Sequence, residues 1–277
     1  MKIPSWIMTL AVLALGASAA FAGSPAPAPA ARKAAPSSGG GSAGSLNRDQ
    51  LKKVLDQNPD LVLDVLRDNR KAFFEIVKQS YADEQKRQQQ QEVEALMKEI
   101  DQHVKNPLAP AVTEKTRVRG NRGAKYTLVE YSDFQCPYCT KGAQIVETLR
   151  KKYGDDLRLV YKNMPLPFHP QAMPAAQWFE AATLQSPEKA WAFHDKLFEN
   201  QEKLSEDFYK ETAKALGLDT AKLEKDAQSQ AVKDIIEADV KEAKGFGFSG
   251  TPGFLLNGVP VRGAYPLEFF EDIIRKI

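Results

Sequence analysis

Both cysteines of the 277-residue chain stand in one tetrapeptide, Cys136-Pro137-Tyr138-Cys139. Two thiols with two residues between them close a small ring when they share the first turn of a helix. The unpaired N–H groups at that end favour the thiolate of the outer, exposed one. Such a pair suits electron exchange better than stapling. Zinc is the competing use of a C-x-x-C pair, and tetrahedral zinc requires two further ligands. His103, His169 and His194 lie far apart and form no H-x-x-x-H spacing, so no metal and no organic cofactor is expected.

The elements that must position the thiols are readable around them. Residues 126–131 are β-branched and aromatic and predict a strand, residues 137–153 a helix, and residues 157–162 a second strand, together a βαβ unit. Four helical stretches are expected between about 171 and 244, with breaks at Ser186-Pro187, near Ser205 and at Gly217. Residues 254–256 and 259–261 flank Asn257-Gly258, two residues that tolerate positive φ, which predicts a hairpin. A closing helix spans 266–277. The aromatics Trp178, Phe179, Trp191, Phe193 and Phe198 recur at helical spacing and are read as core, as is His194. His169, in Pro165-Leu166-Pro167-Phe168-His169-Pro170, is read as ordering a turn.

Upstream, Lys2 precedes an apolar run over 6–15 and small residues up to Ala22, the pattern of a secretory signal peptide over residues 1–22, with cleavage after Ala22 or, second, after Ala19. The run is short for the roughly 20 residues a membrane span needs. Export places the thiols in a compartment where disulfides persist. Residues 23–45 are an Ala/Pro/Gly/Ser-rich linker with two charges, Arg32 and Lys33. Residues 46–104 carry a helical pattern with no catalytic cluster. Leu51, Val54 and Leu55 form one stripe, and Asn58-Pro59 starts a second helix bearing Leu61, Val62, Val65 and Leu66. Phe73, Phe74, Ile76, Val77 and Tyr81 extend the apolar load. Residues 83–91 are wholly polar, a solvated helix face or a hinge, and a helix resumes with Val93. So little chain cannot cover these stripes, so they are expected to pack on copies of themselves as a homo-oligomer, with a cap on the same chain's catalytic domain as the alternative. No sustained heptad chooses trimer or dimer. Residues 105–123 read as a connector.

Composition agrees with a globular protein, at 43% hydrophobic and 27% charged residues. The formal charge of +2 becomes 37 minus 36, or +1, once a leader with one lysine and no acid is removed, which gives no footing for a nucleic-acid partner.

A βαβ unit, a helical insertion and a ββα end, with C-x-x-C at the first strand-to-helix turn, are the layout of an α/β thioredoxin fold with an inserted helical subdomain (about 170–245), preceded by an all-α region. Phe134-Gln135-Cys136-Pro137-Tyr138-Cys139 and Ser249-Gly250-Thr251-Pro252-Gly253-Phe254 resemble the DsbA-like branch of the thioredoxin superfamily over residues 124–277. The whole chain is similar to ScsC-type proteins, which add an N-terminal oligomerisation region. The resemblance implies that Cys136 is the nucleophile, Cys139 the more buried resolving thiol, and Pro137-Tyr138 the dipeptide tuning the potential. It implies a cis Pro252 which, with Thr251, pairs its backbone with a substrate strand. It also makes Glu130 a buried acid assisting proton transfer, against the plainer reading of a polar residue at a strand edge. Phe246, Phe248 and Tyr265 offer an apolar rim for unfolded clients.

The function these features imply is a periplasmic thiol:disulfide isomerase or reductase. Its partners would be disulfide-containing or unfolded secreted proteins and a membrane redox partner. The alternatives are a dithiol oxidase and, from another class, a non-catalytic envelope chaperone or copper(I)-binding protein. Thr251 before Pro252 and the helical N-terminal region favour the isomerase. A chain starting near Arg119 is expected to be monomeric.

Overall fold

In a computed structural model that describes residues 47–114 and 116–277, the chain divides into two units, 47–94 and 95–277. The expected leader and linker lie outside the described residues.

The first unit is helical. Asn47 opens α1 (Arg48–Gln57) with a capping box: its Oδ1 accepts the Gln50 N–H at 2.8 Å, and Gln50 Oε1 accepts the Asn47 N–H at 3.0 Å. Pro59, whose missing N–H is no loss in a first turn, starts α2 (Pro59–Asp68). The third helix, α3 (Arg70–Lys105), crosses the division between the units without a break. Residues 83–91 are thus a solvated helix face. One-turn side-chain pairs line it, Gln79 donating to Asp83 at 2.9 Å and Gln88 to Glu84 at 3.2 Å. Neither α1 nor α2 has a buried residue, and Val65, Phe74, Ile76 and Tyr81 are each more than 60% exposed.

The second unit is built on a five-stranded sheet of order β1-β3-β2-β4-β5, formed by β1 (Arg117–Arg119), β2 (Tyr126–Ser132), β3 (Leu157–Asn163), β4 (Gly253–Leu256) and β5 (Val259–Arg262). Helix α4 (Pro137–Tyr153) joins β2 to β3, which run parallel in the register Tyr126 opposite Leu157 through Ser132 opposite Asn163. All other pairings are antiparallel. Asn257 and Gly258 turn the β4–β5 hairpin at φ 46° and 84°, as the Asn-Gly signal requires. Gly258 is also pressed on the connector, since a Cβ there would lie 2.4 Å from the Leu108 carbonyl oxygen. Helix α10 (Leu267–Lys276) closes the chain.

Two expectations need correction. The 105–123 connector contains β1, which pairs antiparallel with the outer edge of β3. Three residues, Arg117-Val118-Arg119, are too short for their alternation to stand out as a strand signal; the strand exists because β3 offers an open edge and carboxylates receive the arginines. The insertion holds five helices, not four: α5 (Ala172–Gln185), α6 (Pro187–Glu199), α7 (Glu206–Ala215), α8 (Thr220–Ala227) and α9 (Gln230–Gly245). The missed break is at Gln228-Ser229, where the Ser229 side chain caps α9 by accepting the Val232 N–H and no Gly or Pro interrupts the pattern.

The two sheet faces bury different sets. Val129, Tyr131, Val160 and Leu255 pack with Met164, Ala243 and Phe248 on one face. On the other, Tyr161 joins Phe134, Phe179, Phe193, Leu197 and both cysteines. Each such large side chain contributes about 1.5–3 kcal/mol on burial. A buried ion cluster ties the insertion to the sheet: Arg117 of β1 pairs with Glu180 of α5 at 2.9 Å and with Asp239 of α9, and Lys162 of β3 bridges Asp239 and Glu242. Glu242 also accepts the Tyr131 hydroxyl and the Ala111 N–H, which anchors the connector.

Candidate active site

Cys136 is the N-cap of α4, extended at φ −75° and ψ 122°, with Pro137 in the first turn. The Cys136 carbonyl accepts the Cys139 N–H at 3.0 Å, which brings the two cysteines onto one helical turn. The Cys136 thiol lies 3.5 Å from the Thr251 carbonyl oxygen, to which it donates. The peptide bond between Thr251 and Pro252 is cis, and the loop carrying it lies against α4 at Gly142, where a Cβ would come within 3.2 Å of the Pro252 ring. Cys136, Cys139, Thr251 and Pro252, 115 residues apart at the span of the Cys136–Thr251 contact, thus form one site.

The thiols are free and oppositely biased. The Cys136 thiol is lowered to about 5, chiefly by the hydrogen bond from Cys139, with help from Thr251 and the N–H groups of the first turn and against the cost of its burial. Burial and the neighbouring Cys136 sulfur push the Cys139 thiol up. Cys139 is the more deeply buried, at 0% exposure, as expected. Cys136 at 5% is not the exposed residue the motif suggested. The Thr251–Pro252 loop covers it, whereas Tyr138 is 62% exposed with the Lys141 ammonium 5.3 Å from its ring centroid.

Glu130 stands on β2 opposite Tyr161, fully buried, with neither carboxylate oxygen in a hydrogen bond. It is therefore not a strand-edge polar residue. Burial pushes its pKa up to about 7, against a smaller pull from Ser132. Ser132, two residues on and so on the same face of the strand, is buried too.

Asp133, Gln135 and Gln201 were not singled out from the sequence. Asp133 Oδ1 accepts the Gln135 N–H at 2.7 Å, its Oδ2 accepts the Leu166 N–H at 2.9 Å and meets His169 Nδ1 at 2.7 Å, and its own N–H donates to Cys139 Sγ at 3.4 Å. The signal was an acid three residues before Cys136, able to bond its own turn. His169 orders that turn, as expected. Gln201 donates to the carbonyls of Phe134 and Cys136, both at 2.9 Å, across 65 residues of sequence, and nothing local announces it. Phe248 is no rim residue: at 2% exposure it packs on Tyr131, and a Cβ on Gly253 would lie 2.6 Å from its ring. Among the described residues no group of three or more His, Cys, Asp or Glu is placed to hold a metal.

Residues 112–276 match the family described as Thioredoxin. The chain belongs to the thioredoxin family. Within it, the thioredoxin-like oxidoreductase of Silicibacter pomeroyi is 30% identical over 59% of this chain and 92% of its own, with a TM-score of 0.55. The catalytic domain of Proteus mirabilis ScsC shares the fold at 20% identity and a TM-score of 0.53, over 59% of this chain and 89% of that domain. A third relative, the Na(+)/H(+) antiporter NhaA 1 of Mycolicibacterium vanbaalenii, is 33% identical over 162 residues, 57% of this chain. That match spans 26% of the antiporter's length. Both solved structures share the fold of the unit that carries Cys136 and Cys139.

Proposed function

We propose that the chain is an exported thiol:disulfide oxidoreductase that isomerises or reduces misoxidised disulfides in secreted proteins of the periplasm. The observation that carries the exchange chemistry is the opposed bias of the two thiols beside a cis-proline loop. Cys136 is held as a thiolate at neutral pH, and Cys139 is kept protonated one helical turn away. Thiolate Cys136 attacks a substrate disulfide, forming a mixed disulfide and releasing one substrate sulfur as thiolate. Cys139 then loses its proton to the Glu130 carboxylate and bonds Cys136, displacing the second substrate sulfur with its electron pair. The backbone at Thr251 and Pro252 holds the substrate segment as an added strand, and a membrane partner resets the dithiol.

Isomerisation is favoured by the helices of residues 47–94, whose apolar residues are exposed and suited to joining copies, so that several sites surround one client. A second reading, dithiol oxidase, draws on the Cys136 thiolate itself: stabilising the reduced form this strongly makes the disulfide form a ready acceptor of electrons. The two part in one assay, recovery of activity from a scrambled disulfide-containing substrate. Restoration of activity supports isomerisation. Failure to restore it, together with rapid oxidation of a reduced peptide, transfers the assignment to oxidase. In either case Cys136→Ser abolishes exchange and Cys139→Ser accumulates mixed disulfides, seen as added mass on non-reducing gels.

A further inference from the structure

Behind the C-x-x-C helix, β1, β2, α4 and α6 enclose a solvent-open cleft of about 480 Å³. Among the described residues, five buried side-chain polar atoms without a hydrogen-bond partner belong to residues lining this cleft: Glu130 Oε1 and Oε2, Thr140 Oγ1, Arg150 Nε and His194 Nε2. Buried polar atoms gathered around one cavity of this size are the setting in which water bridges them. The fixed charges offer no net field to hold an anion or a cation, since Arg119, Arg150 and Lys151 face Asp195, Glu147 and Glu199.

His194 is held for a particular task. Arg119 grips Asp195 with two bonds of 2.7 and 2.8 Å, and Asp195 Oδ1 lies 3.0 Å from His194 Nδ1. Burial raises the Asp195 carboxyl, but the His194 N–H and the Arg119 guanidinium outweigh it and hold the group at about 2, ionised. Burial also lowers His194, so the ring is neutral, with its proton on Nδ1 and a lone pair on Nε2. The rings of Tyr161, Trp191 and Phe198, 4.8 to 5.1 Å away, fix its plane.

We propose that this cleft is the proton passage of the site and that His194, positioned by Asp195 and Arg119, relays protons between Glu130 and solvent. The inference rests on the exchange reading above. When Cys139 closes on Cys136, its proton passes to Glu130; Tyr161 of β3, paired opposite Glu130, feels the charge of both groups. Glu130 must then release that proton before the next cycle. Through water held at Thr140 the proton reaches His194 Nε2 and leaves past Glu147, Lys151 and Glu199 at the mouth. Reduction of the disulfide runs the same path inward, protonating Cys139 as it departs.

The test is stopped-flow reduction of the oxidised full chain by dithiothreitol across about pH 5 to 9, a window that brackets the raised Glu130 carboxyl at about 7. His194→Gln is expected to slow reduction by about a hundredfold, the lower end of what positioned proton transfer contributes, and added imidazole to restore the rate. Thr140→Val, nearly isosteric, is expected to slow it in the same direction and keeps the test open should His194→Gln fold poorly. Wild-type rates and pH profile in both variants overturn the proposal. Slowing that imidazole does not relieve and that tracks a lowered Tm overturns it too. If the wild-type chain is reduced no faster than an unfolded peptide disulfide, the exchange reading fails instead.

Discussion

Cys136 and Cys139 share a helical turn, yet their surroundings pull their thiols in opposite directions. Thiolate absorbance is expected to titrate with a midpoint near 5 for Cys136 and to show no second step in the neutral range, since Cys139 is pushed upward. A folded pKa below the unfolded thiol's roughly 8.5 gives the dithiol form stability that is full above that value and lost as pH falls through about 5. Glu130 behaves inversely. Its folded pKa of about 7 lies above the ordinary carboxylate value of 4.5, so stability is full below the unfolded value and lost as pH rises through 7. Each pH unit between the two values corresponds to about 1.36 kcal/mol, so Glu130→Gln is expected to stabilise the chain by about 3 kcal/mol at pH 8, with little gain at pH 4. Urea unfolding at the two pH values checks both size and sign.

At the scale of elements, the site depends on how the insertion is fastened to the sheet. Arg117, with its side chain 9% exposed, is the shared partner of Glu180 on α5 and Asp239 on α9. Removing one member of a buried cluster leaves the others uncompensated, so Arg117→Ala is expected to cost about 3–5 kcal/mol. Burial, only partly offset by Arg117, already raises Glu180 to about 7, so the loss shrinks as pH falls and that carboxyl takes a proton. Denaturation midpoints at pH 8 and pH 5 measure the difference. The cluster also accounts for β1, which hydrophobic alternation did not reveal. Its side-chain partners lie 63 and 122 residues further along the chain, and such partners leave no local pattern.

The whole molecule raises the question of where an independent catalytic unit begins. A start near Arg119 removes β1 with Arg117, and it also removes the end of α3, where Ile100 is 2% exposed and Glu99 pairs with Arg262 at 2.7 Å. A chain starting at Ala95 keeps these contacts. It is expected to be monomeric by light scattering and to lose isomerase activity more than oxidase activity, because clients then meet one site at a time. A persisting oligomer would remove residues 47–94 from the proposed role.

The βαβ unit, the thiol pair and the hairpin turn were legible from sequence because each is carried by neighbouring residues, whereas the buried acid came only with the family resemblance. Periodicity marks strands and helices, Asn-Gly permits positive φ, and C-x-x-C on a first turn brings two sulfurs together whatever surrounds them. Other properties needed the chain to close on itself. The cover over Cys136 comes from a loop 115 residues away, Gln201 holds the cysteine turn from the insertion, and Arg119, Asp195 and His194 meet only where β1 lies beside α6. The sequence by itself determined that this is a dithiol site on a thioredoxin fold. Only the tertiary structure decided how each thiol and carboxyl is biased, because desolvation and charge act across space.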